Sequence, residues 1–169
     1  MKLFGITGWS GSGKTTLITK LIPALKKHKL TVATIKHAHH NFDIDQKGKD
    51  SFRFRKSGAR EILISSSHRW VLIHENTKDC EPTLAQLIEK LSPVDILLIE
   101  GFKHEPYPKL EVYRPSLKKP QMWPADRNII AVATDVSLLN PTRPHYSLED
   151  VPAITKLIMS RACPLGHIL

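Results

Sequence analysis

The sequence predicts an α/β fold: a mostly parallel sheet flanked by helices, with an extra β-hairpin region. Three observations carry that expectation. Strand-like and helix-like segments alternate along the chain, as in a parallel sheet joined by crossover helices. Residues 94–99, VDILLI, are an unbroken apolar run, the pattern of a strand buried on both faces. GWSGSGKTT, residues 8–16, places glycines between a short strand and a helix, and such folds bind ligands at the carboxyl ends of their strands.

Residues 2–7 read as the first buried strand. Residues 14–28 repeat apolar side chains at Leu17, Ile18, Leu21, Ile22 and Leu25, which is helical spacing, and Pro23 should kink or end that helix. Residues 31–35 are a β-branched strand, and 49–60 a short basic helix stopped near Gly58. EILIS and RWVLIH, separated by SSSH, are expected to pair as a hairpin. Residues 82–91 start a helix with a proline suited to a first turn. After the apolar strand come strands at 109–113 and 129–134, a closing helix at 148–162 and a frayed tail, CPLGHIL. Residues 114–127, with three prolines, are expected to be an irregular loop.

The chain has 169 residues, 41% hydrophobic and 24% charged, which suits one globular domain spanning 1–169. No apolar run approaches the roughly 20 residues needed to cross a bilayer, so no membrane association is expected. Cys80 and Cys163 lack metal-type spacing and fit a reduced, cytoplasmic protein. The net charge of +9 favours anionic ligands or partners. Without a helix-turn-helix, a zinc-finger spacing or an aromatic ladder, nucleic acid is not the expected partner.

Gly8, Gly13, Lys14 and Thr15 satisfy the Walker A pattern G-x-x-x-x-G-K-[ST], with Gly11 inside it. Glycines let the backbone approach a ligand closely, and successive N–H groups then form a concave anion site. The helix that follows points its positive dipole end at the same anion. Lys14 should reach the β- and γ-phosphates of a nucleoside triphosphate, and the Thr15 hydroxyl should bind Mg2+. The expected fold is thus of the P-loop NTPase type. A second acid is needed near the metal, and Glu100 ends the VDILLIE run at the right place. Asp95 lies at the opposite end of that strand.

IKHAHHNFDIDQKGKDS, residues 35–51, gathers His37, His39 and His40 with Asp43 and Asp45. It reads as a metal site, as a loop beside the phosphates where Lys36 and the histidines would meet phosphate, Mg2+-bound water or a second anion, or as ordinary polar loop residues in water. The basic segment that follows includes Arg53 and Lys56, spaced three apart, which could line an anion site or face an acidic partner. IAVATD ends a late strand with Asp135, whose carboxylate could accept from guanine N1–H and N2–H2 or serve as a turn residue.

Taken together, GWSGSGKTTLITKLIPAL, IKHAHHNFDIDQKGKDSFRFRKSGA, RWVLI, DILLIEGFKHE and DRNIIAVATDV resemble the MobB family, the adapter proteins of molybdopterin-guanine dinucleotide biosynthesis. The match covers most of residues 3–136. The resemblance implies GTP binding with weak intrinsic hydrolysis, a homodimer, and a partner in the molybdopterin guanylyltransferase. It names molybdopterin itself as a further candidate ligand. By motif, Gly11, Ser12, Gly13, Lys14, Thr15 and Thr16 would hold the phosphates of GTP and its Mg2+. Thr15 and Glu100 would serve the metal, and Asp135 would read guanine. Lys36, His37, His39, His40, Lys103 and Arg53 are candidates for a second anion or the partner. Two other readings stay open. A small-molecule kinase would use Asp43 or Asp45 as its acceptor acid and 114–127, with Arg114 and Arg127, as a lid. A metal-delivery GTPase would use the three histidines.

Overall fold

The computed structural model describes residues 1–38, 42–76, 81–137 and 142–167. It divides into two compact units, Met1–His37 with Leu87–Leu169, and Ala38–Gln86.

The larger unit holds β1 (Lys2–Thr7), α1 (Lys14–Lys27), β2 (Val32–Lys36), β5 (Ile96–Glu100), β6 (Lys109–Tyr113), β7 (Ile129–Thr134), β8 (His145–Ser147), α4 (Val151–Arg161) and β9 (Cys163–Pro164). Its strands run β2-β5-β1-β6-β7-β8, with every neighbouring pair on that path parallel. The smaller unit holds α2 (Asp50–Lys56) and the antiparallel hairpin of β3 (Glu61–Ser65) and β4 (Trp70–His74). A short helix, α3 (Leu84–Ile88), falls at the division and is shorter than the sequence predicts. This is the P-loop NTPase fold expected from the sequence, with its extra hairpin.

Parallel pairing decides where the functional side chains go. All five strands of the β2-β5-β1-β6-β7 set end on one edge of the sheet. Lys36 and Ile6 both register with Glu100, Thr7 with Glu111, and Tyr113 with Thr134. The residues just after these strands therefore converge. β5 is buried along Ile96, Leu97, Leu98 and Ile99, as its apolar run predicts.

One face of the sheet is closed by Leu17, Ile18, Leu21 and Leu25 of α1, which share a core with Phe4, Ile6, Leu98 and Val112 and with Ile154 and Ile158 of α4. Pro23 does not end α1, which runs unbroken from Lys14 to Lys27. Leu21 and Leu25, on either side of it, are both fully buried, and their packing holds the turn together against the lost backbone bond. α4 starts where Asp150 accepts the Ala153 N–H at 3.0 Å, a side-chain cap, with Pro152 in its first turn.

The tail is a correction to the sequence reading. Cys163 and Pro164 are not frayed but pair antiparallel with Leu3 and Lys2 of β1. β8, which no sequence pattern predicts, adds a sixth parallel strand. Both are too short to show a period. The hairpin matches expectation, with Leu63 opposite Leu72 and Ser65 opposite Trp70. Ser66 closes its turn, its Oγ accepting from the His68 and Arg69 N–H groups at 3.3 Å. No helix among the described residues is long and apolar enough to cross a membrane.

Candidate nucleotide site

The loop between β1 and α1 is built by its glycines and closed by Lys14. Gly8 has φ +140°, and a Cβ there would stand 2.4 Å from the Val112 carbonyl oxygen, so no side chain fits. The Lys14 ammonium donates to the Gly8 and Trp9 carbonyls at 3.1 and 3.0 Å. Burial lowers the Lys14 pKa, Glu100 opposes that shift, and Lys103 and Lys36 add to it. Lys14 thus lies within reach of two further cations and one carboxylate, a positive balance that favours an anion. α1 has no acidic residue in its first turn and no side-chain cap on its first N–H groups. Those donors and the helix dipole face the loop. Ser12 is buried, and its Oγ lacks a hydrogen-bond partner among the described residues. Thr16 is exposed on the first turn, its carbonyl accepting from the Thr19 hydroxyl at 2.8 Å.

Glu100 and Thr15 meet. The Thr15 hydroxyl lies 3.2 and 3.4 Å from the two Glu100 oxygens. Lys36 Nζ is 3.7 Å from the same carboxylate. Gly101, at φ +101°, turns the chain directly after it; a Cβ there would come within 2.5 Å of His37 Cβ. His37 in turn donates its N–H to the Glu100 carbonyl at 2.8 Å and packs its ring against Phe102. Asp95 is at the far end of β5, bonded to Thr31, as the sequence suggested.

Lys103 and Lys119 both approach the Trp9 indole, at 5.2 and 5.7 Å from the ring centre, while Trp9 Nε1 donates to the Pro120 carbonyl at 2.7 Å. The 114–127 segment is thus tied to the phosphate loop rather than loose. Two buried charges of β6 hold it from below. Glu111 accepts the Met122 and Trp123 N–H groups at 3.0 and 2.9 Å. Lys109, 1% exposed, donates to Asp126 at 2.9 Å and to the Lys103 carbonyl at 2.7 Å. Asp135, after β7, is ion-paired with Arg114, after β6.

Burial pushes the Glu111 carboxyl above its ordinary 4.5, against the pull of the Met122 and Trp123 N–H groups. The folded protein thus keeps a proton that the unfolded chain has already released. Glu111 is most favourable to folding below the ordinary value, and that contribution falls as pH climbs through the raised one. Glu111→Gln should flatten this part of the stability profile, measured as urea midpoints from acid to neutral pH. An unchanged slope would assign the titration to another group.

The other candidates are placed as follows. Arg53 is exposed and 3.9 Å from Asp50, within the smaller unit. Asp43 and Asp45 are both engaged by Arg55 at 2.8 Å, which occupies the two acids a kinase reading would use. Arg55 also holds the Asp45 carboxyl below its usual range. Of the histidine cluster, His39 and His40 lie outside the described residues; among the described residues no three His, Cys, Asp or Glu side chains gather to hold a metal ion. Sequence reasoning missed Trp9, Lys109 and Glu111. A charged pair two apart within a parallel strand was the available signal, since such strands are covered on both faces.

Residues 3–135 match the family model for MobB, molybdopterin guanine dinucleotide synthesis protein B. The chain is 42% identical over 157 residues to a molybdopterin-guanine dinucleotide biosynthesis adapter protein of Haemophilus influenzae, covering 92% of this chain and 86% of that protein. It is also 42% identical over 139 residues to the adapter protein of that name from Escherichia coli, covering 80% and 79%. A crystal structure of molybdopterin-guanine biosynthesis protein B superposes with a TM-score of 0.74 at 28% identity, covering 94% of this chain and 98% of that one.

Proposed function

Because the chain belongs to the MobB family, we propose that it is an adapter of molybdopterin guanine dinucleotide biosynthesis that grips GTP with Mg2+ and serves the guanylyltransferase joining GMP to molybdopterin. The observation that carries the nucleotide reading is the closed loop: Lys14 on the Gly8 and Trp9 carbonyls, with Thr15 against Glu100. A hydroxyl and a carboxylate are the hard oxygen donors that Mg2+ prefers. Thr15 and Glu100 would hold that ion, and it would neutralise phosphate charge when bound. Gly11, Ser12, Gly13 and Thr16 would present backbone donors to the phosphates, and Asp135 would accept from guanine.

Hydrolysis by this chain is expected to be slow. In this reading Glu100, in contact with Thr15 and Lys36, is given to the metal, and no side chain is assigned as a general base. The reading includes a cytoplasmic homodimer. Leu63, Trp70 and Leu72, exposed on one face of the hairpin, support a partner surface in the smaller unit. Lys36 and Lys103 suit a second anion, with molybdopterin a candidate.

Competition of GTP and ATP, each with Mg2+, for a fluorescent guanine nucleotide tests this function. GTP should displace the probe at least tenfold better than ATP, and Asp135→Ala should erase most of the difference, as loss of a charge-assisted bond to the base predicts at about 1.4 kcal/mol per tenfold. Preference for ATP would overturn the GTP assignment.

A further inference from the structure

Arg114 touches two loops that belong to strands which are not neighbours. Its Nε donates to the Ser12 carbonyl, inside the phosphate loop, at 2.8 Å. Its Nη1 is bonded to Asp135 Oδ2, after β7. Nη2 lies 3.5 Å from where a Cβ on Gly13 would stand, so the guanidinium is seated against the start of α1. β1 and β7 are separated in the sheet by β6, the strand that Arg114 follows. Arg114 is the side chain through which the phosphate loop and Asp135 are joined by hydrogen bonds.

A guanidinium is a rigid planar fork, and its donors sit at fixed separations. Holding one acceptor on each loop, it fixes the distance and angle between them. Asp135 retains Oδ1 and further lone pairs for other donors. Guanine offers two donors to such a carboxylate, N1–H and N2–H2, whereas adenine offers an acceptor nitrogen and a C–H there. Discrimination between them depends on where the carboxylate stands relative to a base whose phosphates are already gripped.

We infer that Arg114 is a positioning residue for purine selectivity, locking the Asp135 carboxylate to the phosphate loop at the spacing that suits guanine. The inference rests on the GTP reading above. It differs from a contact between Arg114 and phosphate, which would strengthen GTP and ATP alike.

The test is the ratio of GTP to ATP affinity, measured by the same competition on wild type, Arg114→Ala, Arg114→Lys, Asp135→Ala and the Arg114→Ala/Asp135→Ala double variant. Arg114→Ala should lower the ratio about tenfold, the scale of losing one well-placed charge-assisted hydrogen bond. Arg114→Lys keeps the charge but lacks the fork, and should recover only a small part of the ratio. In the Asp135→Ala background, removing Arg114 should change the ratio no further. Simple loss of folding would weaken both nucleotides together and is checked by thermal unfolding; Arg114→Lys then carries the test. Equal weakening of GTP and ATP in a folded variant, or an intact ratio, would overturn the inference alone. A wild-type protein without guanine preference would overturn it together with the GTP reading.

Discussion

Lys14→Ala is expected to weaken GTP binding about a hundredfold, the scale of losing two charge-assisted bonds to phosphate. The lysine is not a free surface charge. It is half-buried, it spans the loop through the Gly8 and Trp9 carbonyls, and burial lowers its pKa. Its removal takes away the central cation of the loop and leaves two loop carbonyls short of a donor. Lys14→Met keeps most of the side-chain length and should lose binding to the same extent, which separates charge from packing. Titration with a fluorescent guanine nucleotide reads the effect, and thermal unfolding confirms that the variants fold. Affinity equal to wild type would remove the phosphate-loop assignment.

Gly8→Ala should produce the largest loss of stability among single methyl additions to this loop, about 3–5 kcal/mol. Two costs combine. At φ +140° an L side chain is strained, and the new Cβ would stand 2.4 Å from the Val112 carbonyl oxygen and 2.8 Å from Ser12 Oγ. Val112 is in β6, at the centre of the sheet, and its backbone has little room to retreat. Gly11→Ala is the control. Its φ is +79°, but a Cβ there meets only Leu117 Cδ2 at 3.8 Å, so it should cost about 1–2 kcal/mol from backbone strain alone. Denaturant midpoints compare them. Equal losses would mean that the close approach to β6 does not limit position 8.

Much of the fold was legible because the signals were local and repeated. The α1 periodicity named its buried face residue by residue, and four of the five apolar positions are buried as read. The unbroken β5 run announced a strand covered on both sides. The hairpin was marked by two β-branched runs around a serine turn. The shortest strands were not legible. β8 and β9 have three and two residues, and their pairing with β7 and β1 is a long-range event with no sequence period behind it. Pro23 does not end α1, since Leu21 and Leu25 on either side of it are buried and their burial outweighs the local cost.

The site divides along the same line. The G-x-x-x-x-G-K-[ST] spacing could be read from sequence because it lies within one short segment. Glu100 could be named because it ends an apolar strand. The sequence offered Arg114 only as a lid candidate, and it assigned no role to Lys109 or Glu111. Their partners are sequence-distant: Ser12 lies about a hundred residues from Arg114, and Trp9 as far from Pro120. The sequence by itself thus determined the α/β class, the glycine loop between β1 and α1, the acid that ends β5 and the family. Only the tertiary structure decided which loops are tied together. Parallel strands bring their carboxyl ends to one edge, and which side chains then meet across that edge depends on strand order, which no local spacing encodes.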